Sequence, residues 1–275
     1  MKTIYLVIKG GLGNQLFQAA LGLVLEARLG AEIRYLTDIF AVDSYDRSYL
    51  LQSFPALRRP CVTRAETAAA KTLKEDALAP IPVGDRVGQI VAQLSSEPAL
   101  IVDGYWQDER YWEDHHALVR AAMVPDIAPN VAAMGEQIQT LGAIGVHLRR
   151  GDYGHHGLAR TDYYIHSLAA IREQTGVALA FYGADEPNFA RFIFRHIKDL
   201  VPLPGNVQAP LDDFYLLSRC RHFVIANSSF SWWAAWLGEQ PGSIIYAPQP
   251  WCLFDPLFNA APSRWRNVED AVQRQ

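Results

Sequence analysis

Three features that often define a protein class are scarce in this sequence: cysteine, net charge and long apolar segments. The cysteines, Cys61, Cys220 and Cys252, stand far apart and lack CxxC spacing. Such a set argues against a disulfide framework and against a structural zinc site. The formal net charge is -4, so the chain has no overall basic field that could gather nucleic acid or anionic lipid.

No apolar run near the amino terminus is long enough to cross a membrane. Glycines interrupt the short run within residues 1–15 well before the roughly 20 residues that a spanning helix needs. We therefore expect neither a signal peptide nor a membrane anchor. The few cysteines favour a cytoplasmic protein, which would reach a membrane surface only by peripheral contact or through a lipid-linked substrate.

Several short motifs are also absent. The glycines at 10–13 follow neither the GxGxxG pattern nor the P-loop pattern, since no Lys-Ser/Thr pair comes after them. The histidines show no HxxxH spacing, and Asp212 and Asp213 are adjacent rather than spaced as in DxD. We therefore expect no bound metal.

The composition is that of a globular protein, and the predicted strands alternate with helices along the chain. The chain has 275 residues, 50% of them hydrophobic and 20% charged, and can bury one large core or two smaller ones. We predict strands at 4–8, 31–36, 99–102, 143–148, 177–182, 222–226 and 243–246, and helices at 15–29, 65–78, 113–123, 163–173, 187–197, 213–220 and 231–237. This alternation indicates a doubly wound α/β fold, whose ligands bind beyond the carboxyl ends of the strands.

Two prolines close together, Pro125 and Pro129, favour a domain boundary because no regular element continues easily through them. We predict an amino-terminal domain of residues 1–128 and a carboxyl-terminal domain of residues 129–275. We also expect a carboxyl-terminal helix that packs back on the molecule.

A glycine-rich turn from Gly10 to Gln15 connects the first predicted strand and helix. Backbone N–H groups are free at such a helix start, and the helix dipole favours an anion or a sugar hydroxyl there. Because Asn14 and Gln15 have no evident structural task, we predict that they bind the donor of a transfer reaction together with Gly11 and Gly13. The alternative is a tight turn without a ligand.

Arg149 and Arg150 follow the predicted strand 143–148, which places two guanidinium groups at the ligand edge of the sheet. Arginine keeps its charge at physiological pH and holds phosphate oxygens bidentately. In a glycosyl transfer the two arginines could stabilise charge on a nucleoside diphosphate leaving group without a metal. The alternative is a surface salt bridge between Arg150 and Asp152.

A second polar cluster, Asn227, Ser228, Ser229 and Phe230, connects strand 222–226 with helix 231–237. An amide and neighbouring hydroxyls at a strand-to-helix junction form an anion cradle. Helix capping would explain one of the serines but not the whole cluster. We therefore predict that this cluster belongs to the same phosphate site.

Taken together, these segments resemble the bacterial alpha-1,2-fucosyltransferases, which use GDP-fucose. The motifs are GGLGNQLFQAA at 10–20, GYWQDERYW at 104–112, HLRRGDY at 147–153, DDFYLLSRCRHFVIANSSFSWWAAWLG at 212–238 and YAPQPW at 246–251. The resemblance implies a GT-B-like α/β fold, with two Rossmann-like domains facing across a cleft and GDP-fucose bound mainly by the second. It also implies inversion at the anomeric carbon and no required metal or other cofactor.

The same resemblance implies roles for individual residues. Arg149 would be the clamp on the β-phosphate, and Asp213 and Asp185 would contact the guanosine moiety. The family usually has an aromatic-Ser-Asp-Asp segment where this chain has YGADE at 182–186. The hydroxyl contact is therefore lost, and the acidic pair is altered.

Inversion needs a group that takes the acceptor hydroxyl proton, and a carboxylate or an imidazole would serve. Asp152 is the first choice, with His147, His155 and His156 as alternatives. A further alternative is that the departing phosphate oxygen takes the proton, which would leave no essential side-chain base.

The first domain would then bind the acceptor. The predicted strand 99–102 is followed by Tyr105, Trp106 and Gln107. An aromatic ring there can stack on a galactose face, and the amide of Gln107 can form a hydrogen bond with a sugar hydroxyl. The alternative places Trp106 in the core. Trp232 is also expected to face a sugar, whereas Trp233 and Trp236 are expected in the core.

These residues predict an inverting transferase that moves L-fucose to the 2-hydroxyl of a terminal galactose in an oligosaccharide or surface polysaccharide. One alternative is a transferase for another GDP-sugar or another fucosyl linkage. A second is a non-catalytic carbohydrate-binding protein. The arginine pair and the serine cluster distinguish the transferases from the carbohydrate-binding protein, because a lectin needs no diphosphate site.

Overall fold

The computed structural model describes residues 2–42, 47–151, 153–154, 156–204 and 209–274. The chain divides into two compact units, Met1–Asp126 and Ile127–Gln275. The predicted boundary, between residues 128 and 129, is close to this division. The acceptor and donor roles expected of the two halves stay predictions.

The first unit is built on a parallel sheet in which the first strand is central. Its strands are β1 (Thr3–Val7), β2 (Glu32–Leu36), β3 (Cys61–Val62), β4 (Lys71–Lys74) and β5 (Ala99–Asp103), in the order β3-β2-β1-β5-β4. Its α-helices are α1 (Leu12–Leu29), α2 (Val83–Ser96) and α3 (His116–Ala122). Leu16 and Val24 of α1 are fully buried, as are Ile4 and Leu6 of β1.

The second unit repeats this arrangement with a larger parallel sheet. Its helices are α4 (Pro129–Leu141), α5 (Thr161–Thr175), α6 (Pro187–Phe194), α7 (Pro210–Ser218) and α8 (Ser229–Gly238). Its strands are β6 (Ile144–Leu148), β7 (Leu158–Ala159), β8 (Ala180–Ala184), β9 (Leu200–Pro202), β10 (His222–Val224), β11 (Ile245–Pro248), β12 (Arg266–Val268) and β13 (Val272–Gln273). The sheet order is β12-β11-β10-β6-β8-β9, and β13 pairs separately with β7 in antiparallel fashion.

The predicted helix at 65–78 is wrong. Residues Lys71–Lys74 form β4, which pairs in parallel with β5, and only short 3-10 turns flank it at Arg64–Thr67 and Glu75–Leu78. Leu73 is buried opposite Val102, so sheet pairing overrides the helical preference of the alanine-rich segment.

The expected carboxyl-terminal helix is also wrong. Among the described residues after Gly238, the regular elements are the strands β11, β12 and β13. Two helices, α2 and α4, were not predicted from the sequence, and each begins beside a proline, Pro82 or Pro129. Pro129 is the first residue of α4, a position where proline fits because its missing N–H would have no partner. No helix among the described residues combines the length and the apolar character needed to cross a membrane.

Candidate active site

The second sheet brings three polar strand ends to one edge. β6 lies between β8 and β10, and all three run parallel. Arg149 therefore follows the central strand, with Asp185 after one neighbour and the segment 225–228 after the other. The carboxyl edge of a parallel sheet is where ligands bind in such folds, so this edge is the first candidate site.

The loop after β6 is held by the carboxylate of Asp185. Its Oδ1 accepts a hydrogen bond from the backbone N–H of Arg150 at 3.0 Å, and its Oδ2 accepts one from that of Gly151 at 2.9 Å. The Nε of Arg149 lies 3.4 Å from the same Oδ2. A side chain at Gly151 would displace this carboxylate, since its Cβ would lie 2.9 Å from that oxygen. Asp185 thus holds the arginine loop, a different use from the guanosine contact that the resemblance implies.

Both arginine side chains are oriented by neighbours yet remain partly exposed, Arg149 by 30% and Arg150 by 25%. The guanidinium carbon of Arg150 lies 3.9 Å from the centre of the Phe189 ring, and its Nε is 3.6 Å from Glu186. The guanidinium carbon of Arg149 lies 5.2 Å from the centre of the Tyr153 ring. Two oriented and accessible guanidinium groups are suited to binding a phosphate anion.

His147 is buried in β6, where its ring stacks on Phe230 with 5.0 Å between the ring centres. Burial, and to a lesser extent the positive charge of Arg149, lowers the pKa of His147 to about 3. So weak a base is a poor proton acceptor. The structure therefore argues against the prediction of His147 as a general base. Its ring instead packs the end of β6 against the first turn of α8.

The amino terminus of α8 offers unused hydrogen-bonding groups. Its N-cap, Ser228, makes no side-chain capping bond, and no acidic side chain occupies the first turn. The Nδ2 of buried Asn227 donates to the backbone carbonyls of Gly157 at 3.0 Å and Trp251 at 3.1 Å, which fixes the orientation of the amide. Among the described residues, its Oδ1 has no partner. This end of α8 can therefore donate to an anion through free N–H groups.

The first turn of α7 lies near the first turn of α8. The rings of Phe214 in α7 and Phe230 in α8 meet edge to face, with 5.5 Å between the ring centres. Asp213 precedes Phe214 in this turn. Burial, together with the charge of Asp212, raises the pKa of Asp213 to about 6. A carboxyl group with so perturbed a pKa is typical of a functional site.

The structure contradicts the prediction that Trp232 faces a sugar. Its ring is fully buried, and its Nε1 donates to the backbone carbonyl of Ala260 at 2.8 Å. The ring packs on Trp236 at 6.1 Å and on Trp265 at 5.5 Å. Trp233 and Trp236 are also fully buried, which confirms their predicted place in the core.

In the first unit, Gln15 has a structural task that the sequence did not reveal. Its Nε2 donates to the backbone carbonyls of Gly10 and Ser48, both at 2.9 Å. Its Oε1 accepts from the backbone N–H of Leu50, also at 2.9 Å. A fully buried amide with these three bonds is committed to the backbone, so the prediction that Gln15 binds the donor is not supported.

The rest of the glycine-rich turn is divided between core and surface. Gly13 is buried in the first turn of α1. Gly11 is the N-cap, and a Cβ placed there would meet nothing within 4 Å, so the helix start is open. The Nε2 of Gln107 donates to the Oδ1 of Asn14 at 2.7 Å. A residue predicted to bind the donor and one predicted to bind the acceptor are thus in direct contact.

Two charged side chains lie near Tyr105 at the carboxyl ends of β1 and β5. The Nζ of Lys9 lies 2.6 Å from the Oδ1 of Asp103 and 4.8 Å from the centre of the Tyr105 ring. Tyr105 is 43% exposed, so its ring is accessible for stacking. Trp106, in contrast, is fully buried, which contradicts its predicted contact with the acceptor and agrees with the core alternative.

Two candidates for the general base, Asp152 and His155, lie outside the described residues and stay hypotheses. A third, His156, is partly buried between aromatic rings, at 4.9 Å from Tyr153 and 5.1 Å from Phe254. Within the described part of the chain, no group of three or more His, Cys, Asp or Glu side chains could hold a metal ion.

Sequence reasoning missed three polar residues of the first unit: Lys9, Asp103 and Glu75. The first two could have been found, because each is a charged residue at the end of a predicted strand. Glu75 could not, because it directly follows β4, where the sequence pattern predicts a helix.

Comparison with solved structures identifies the fold. The chain is similar to the NodZ alpha-1,6-fucosyltransferase soaked with GDP-fucose, with 16% identity and a TM-score of 0.51 over 86% of this chain and 92% of that one. It is also similar to POFUT1 in complex with GDP-fucose, with 10% identity and a TM-score of 0.53 over 98% and 99% of the two chains. These similarities concern the fold alone, and they confirm the predicted GT-B-like α/β class.

The family follows from the sequence. Residues 92–254 match the model of Glycosyl transferase family 11, and the chain belongs to this family. It is 33% identical to an alpha-1,2-colitosyltransferase of Escherichia coli over 180 residues, which is 60% of this chain and 61% of that relative, less than two thirds of its length. It is 22% identical to the O-antigen biosynthesis glycosyltransferase WbnK of Escherichia coli, over 96% of this chain and 100% of that one. These matches confirm the family that the motifs indicate. They also confirm the prediction of a glycosyltransferase.

Proposed function

We propose that the chain transfers L-fucose from GDP-fucose to the 2-hydroxyl of a terminal galactose in an oligosaccharide or surface polysaccharide, with inversion. The observation that carries this proposal is the carboxyl edge of the second sheet. There Arg149 and Arg150 are partly exposed and oriented beside the start of α8, which has no side-chain cap. Fixed cations and free backbone N–H groups together suit a diphosphate.

In this mechanism, Arg149 stabilises the negative charge that grows on the β-phosphate as the bond to the sugar breaks. The N–H groups at the start of α8 and the hydroxyls of Ser228 and Ser229 bind the remaining phosphate oxygens. Asp213 accepts hydrogen bonds from the guanine base. Asp185 holds the loop that carries both arginines, so Arg149 is oriented before the donor arrives.

Tyr105 and Gln107 of the first unit bind the acceptor galactose, with stacking on the ring and a hydrogen bond from the amide. The acceptor hydroxyl loses its proton to Asp152, to one of the alternatives His155 and His156, or to the departing phosphate oxygen, since His147 is too weak a base. Because the two arginines supply the compensating charge, the reaction needs no metal. A lipid-linked acceptor would bring the protein to the cytoplasmic face of a membrane by peripheral contact.

A thermal-shift titration and an activity assay test the proposal. GDP and GDP-fucose should raise the melting temperature in the presence of EDTA, whereas UDP should do little. Transfer of fucose to a galactoside should continue in EDTA, and analysis of the product should show an alpha-1,2 linkage. Absolute dependence on Mn²⁺ would contradict the metal-free mechanism, and stabilisation by galactosides but not by GDP would favour a lectin.

A second candidate donor is another GDP-sugar, in particular one carrying colitose. The observation in its favour is the 33% identity to an alpha-1,2-colitosyltransferase. Colitose is fucose without the 3-hydroxyl, so the two donors differ at a single position on the sugar. Parallel measurement of kcat/KM for the two GDP-sugars decides between them.

A further inference from the structure

The loop after β5 contains a strained residue. Trp106 has a φ of 56°, in the left-handed region that a bulky residue rarely adopts. Such a conformation is strained and persists only where the surroundings hold it. Because the flanking residues are Tyr105 and Gln107, whatever holds Trp106 also sets the direction of the proposed acceptor contacts.

The carboxylate of Glu75 holds the centre of this loop. Its Oε2 accepts hydrogen bonds from two consecutive backbone N–H groups, that of Tyr105 at 2.7 Å and that of Trp106 at 2.9 Å. Its Oε1 accepts from the Tyr111 hydroxyl at 3.2 Å. The Nη1 of Arg86 donates to the Tyr111 oxygen at 3.0 Å, which leaves the hydroxyl hydrogen free for Glu75. Both oxygens of the carboxylate are therefore used.

The surroundings fit closely around this contact. Glu75 comes directly after β4, which pairs with β5, so the sheet brings the carboxylate to the loop. A Cβ at Gly104 would lie 2.5 Å from the Cβ of Glu75 and 2.7 Å from its Oε2. The Trp106 ring is buried and meets the Tyr111 ring edge to face at 5.5 Å. The loop is thus fixed through its backbone and through one buried ring.

With Trp106 anchored inward, its two neighbours are held at the surface of the sheet edge. Tyr105 is exposed beside Lys9, and Gln107 reaches Asn14 at 2.7 Å. We propose that Glu75 is a positioning residue for a galactoside subsite, which orients Tyr105 and Gln107 through the backbone of the loop and does not itself touch the sugar. This inference rests on the proposed function, whose acceptor subsite it completes.

The test compares Glu75→Ala, Glu75→Gln and Gly104→Ala with the wild-type protein. Glutamine can still accept from the two N–H groups through its carbonyl, but without a charge, so its effect should be intermediate. Glu97→Ala and Gly88→Ala are matched controls, because Glu97 pairs with Lys71 at the other end of β4 and a Cβ at Gly88 meets nothing within 4 Å. The acceptor KM should rise several-fold in Glu75→Ala and Gly104→Ala and less in Glu75→Gln. The KM for GDP-fucose and the melting shift with GDP should stay at their wild-type values.

Direct titration with a free galactoside, and amide hydrogen exchange at Tyr105 and Trp106, separate this inference from the proposed function. Faster exchange and weaker galactoside binding in Glu75→Ala would support the positioning role even if the wild-type protein transferred no fucose. An unchanged affinity for the galactoside in Glu75→Ala, or equal increases in the donor and acceptor KM values, would overturn it. If Glu75→Ala does not fold, Glu75→Gln is judged by the same readouts.

Discussion

The carboxyl edges of the two sheets differ in how their charged groups are used. At the edge of the first sheet, Lys9 and Asp103 pair with each other, and Gln107 pairs with Asn14. At the edge of the second, Arg149 and Arg150 also have acidic neighbours, Asp185 and Glu186, but both arginines remain partly exposed beside a helix start without a side-chain cap. The first edge offers a ring and amide groups that suit an uncharged sugar, whereas the second offers groups that suit an anion. The sharpest tests of this contrast are substitutions that affect one edge and leave the other unchanged.

The largest effect is expected from Arg149. Arg149→Ala or Arg149→Lys should lower kcat by ~10²-fold or more, because the lost contact strengthens as the leaving group gains charge. Arg264→Ala is a matched control, since Arg264 forms a surface pair with Glu239 in the same unit. Circular dichroism checks that each variant folds. Near-normal turnover in folded Arg149→Ala would show that the clamp is a different residue.

The second effect is a pH dependence of donor binding. Because the pKa of Asp213 is raised to about 6, the carboxylate that the guanine needs is protonated below that pH. Binding of GDP-fucose should be about tenfold weaker at pH 5 than at pH 8. GDP-fucose is the appropriate probe because, unlike GDP, it has no phosphate group that titrates in this range.

Asp213→Asn should remove this slope, whereas Asp162→Asn should keep it, since Arg160 holds the pKa of Asp162 at about 2. A raised pKa means that folded protein binds the proton more tightly than unfolded protein. Stability should therefore fall as the pH rises from the ordinary value of 3.8 towards 6, and Asp213→Asn should lack that loss. Donor affinity with the same slope in both variants would remove Asp213 from the donor site.

A smaller effect is expected at the first edge. Gln107→Ala should raise the acceptor KM several-fold and leave the KM for GDP-fucose almost unchanged, because the amide forms a hydrogen bond with a hydroxyl of the acceptor sugar. Gln93→Ala, an exposed glutamine of α2, serves as the control. A change confined to the donor KM would place this segment in the nucleotide site instead.

The smallest kinetic effect should come from Trp232. Trp232→Phe removes the Nε1 bond to the buried carbonyl of Ala260, which should cost ~1–3 kcal/mol of unfolding free energy. Its acceptor KM should match the wild type. Tyr105→Ala should do the reverse, with an unchanged melting temperature and a raised acceptor KM. A raised acceptor KM in Trp232→Phe would reopen a sugar contact for this ring.

Local sequence patterns were enough to find the second edge. Strand 143–148 and the helix after 227 were recognised from apolar runs and periodic spacing, so Arg149, Arg150 and Asn227 could be placed at strand ends without a structure. The failures came where local and long-range preferences disagree. Residues 71–74 follow an alanine-rich segment that favours a helix, yet they pair with β5 across the sheet.

The sequence by itself determined the family, the alternation of strands and helices, and the presence of two arginines at the end of β6. Only the tertiary structure decided what the side chains around them do. Asp185 holds the arginine loop, Glu75 holds the loop at Trp106, and burial lowers the pKa of His147. The physical reason is range: an element forms from the pattern of adjacent residues, whereas the partner of a carboxylate and the burial of a ring depend on strands that are distant in the chain.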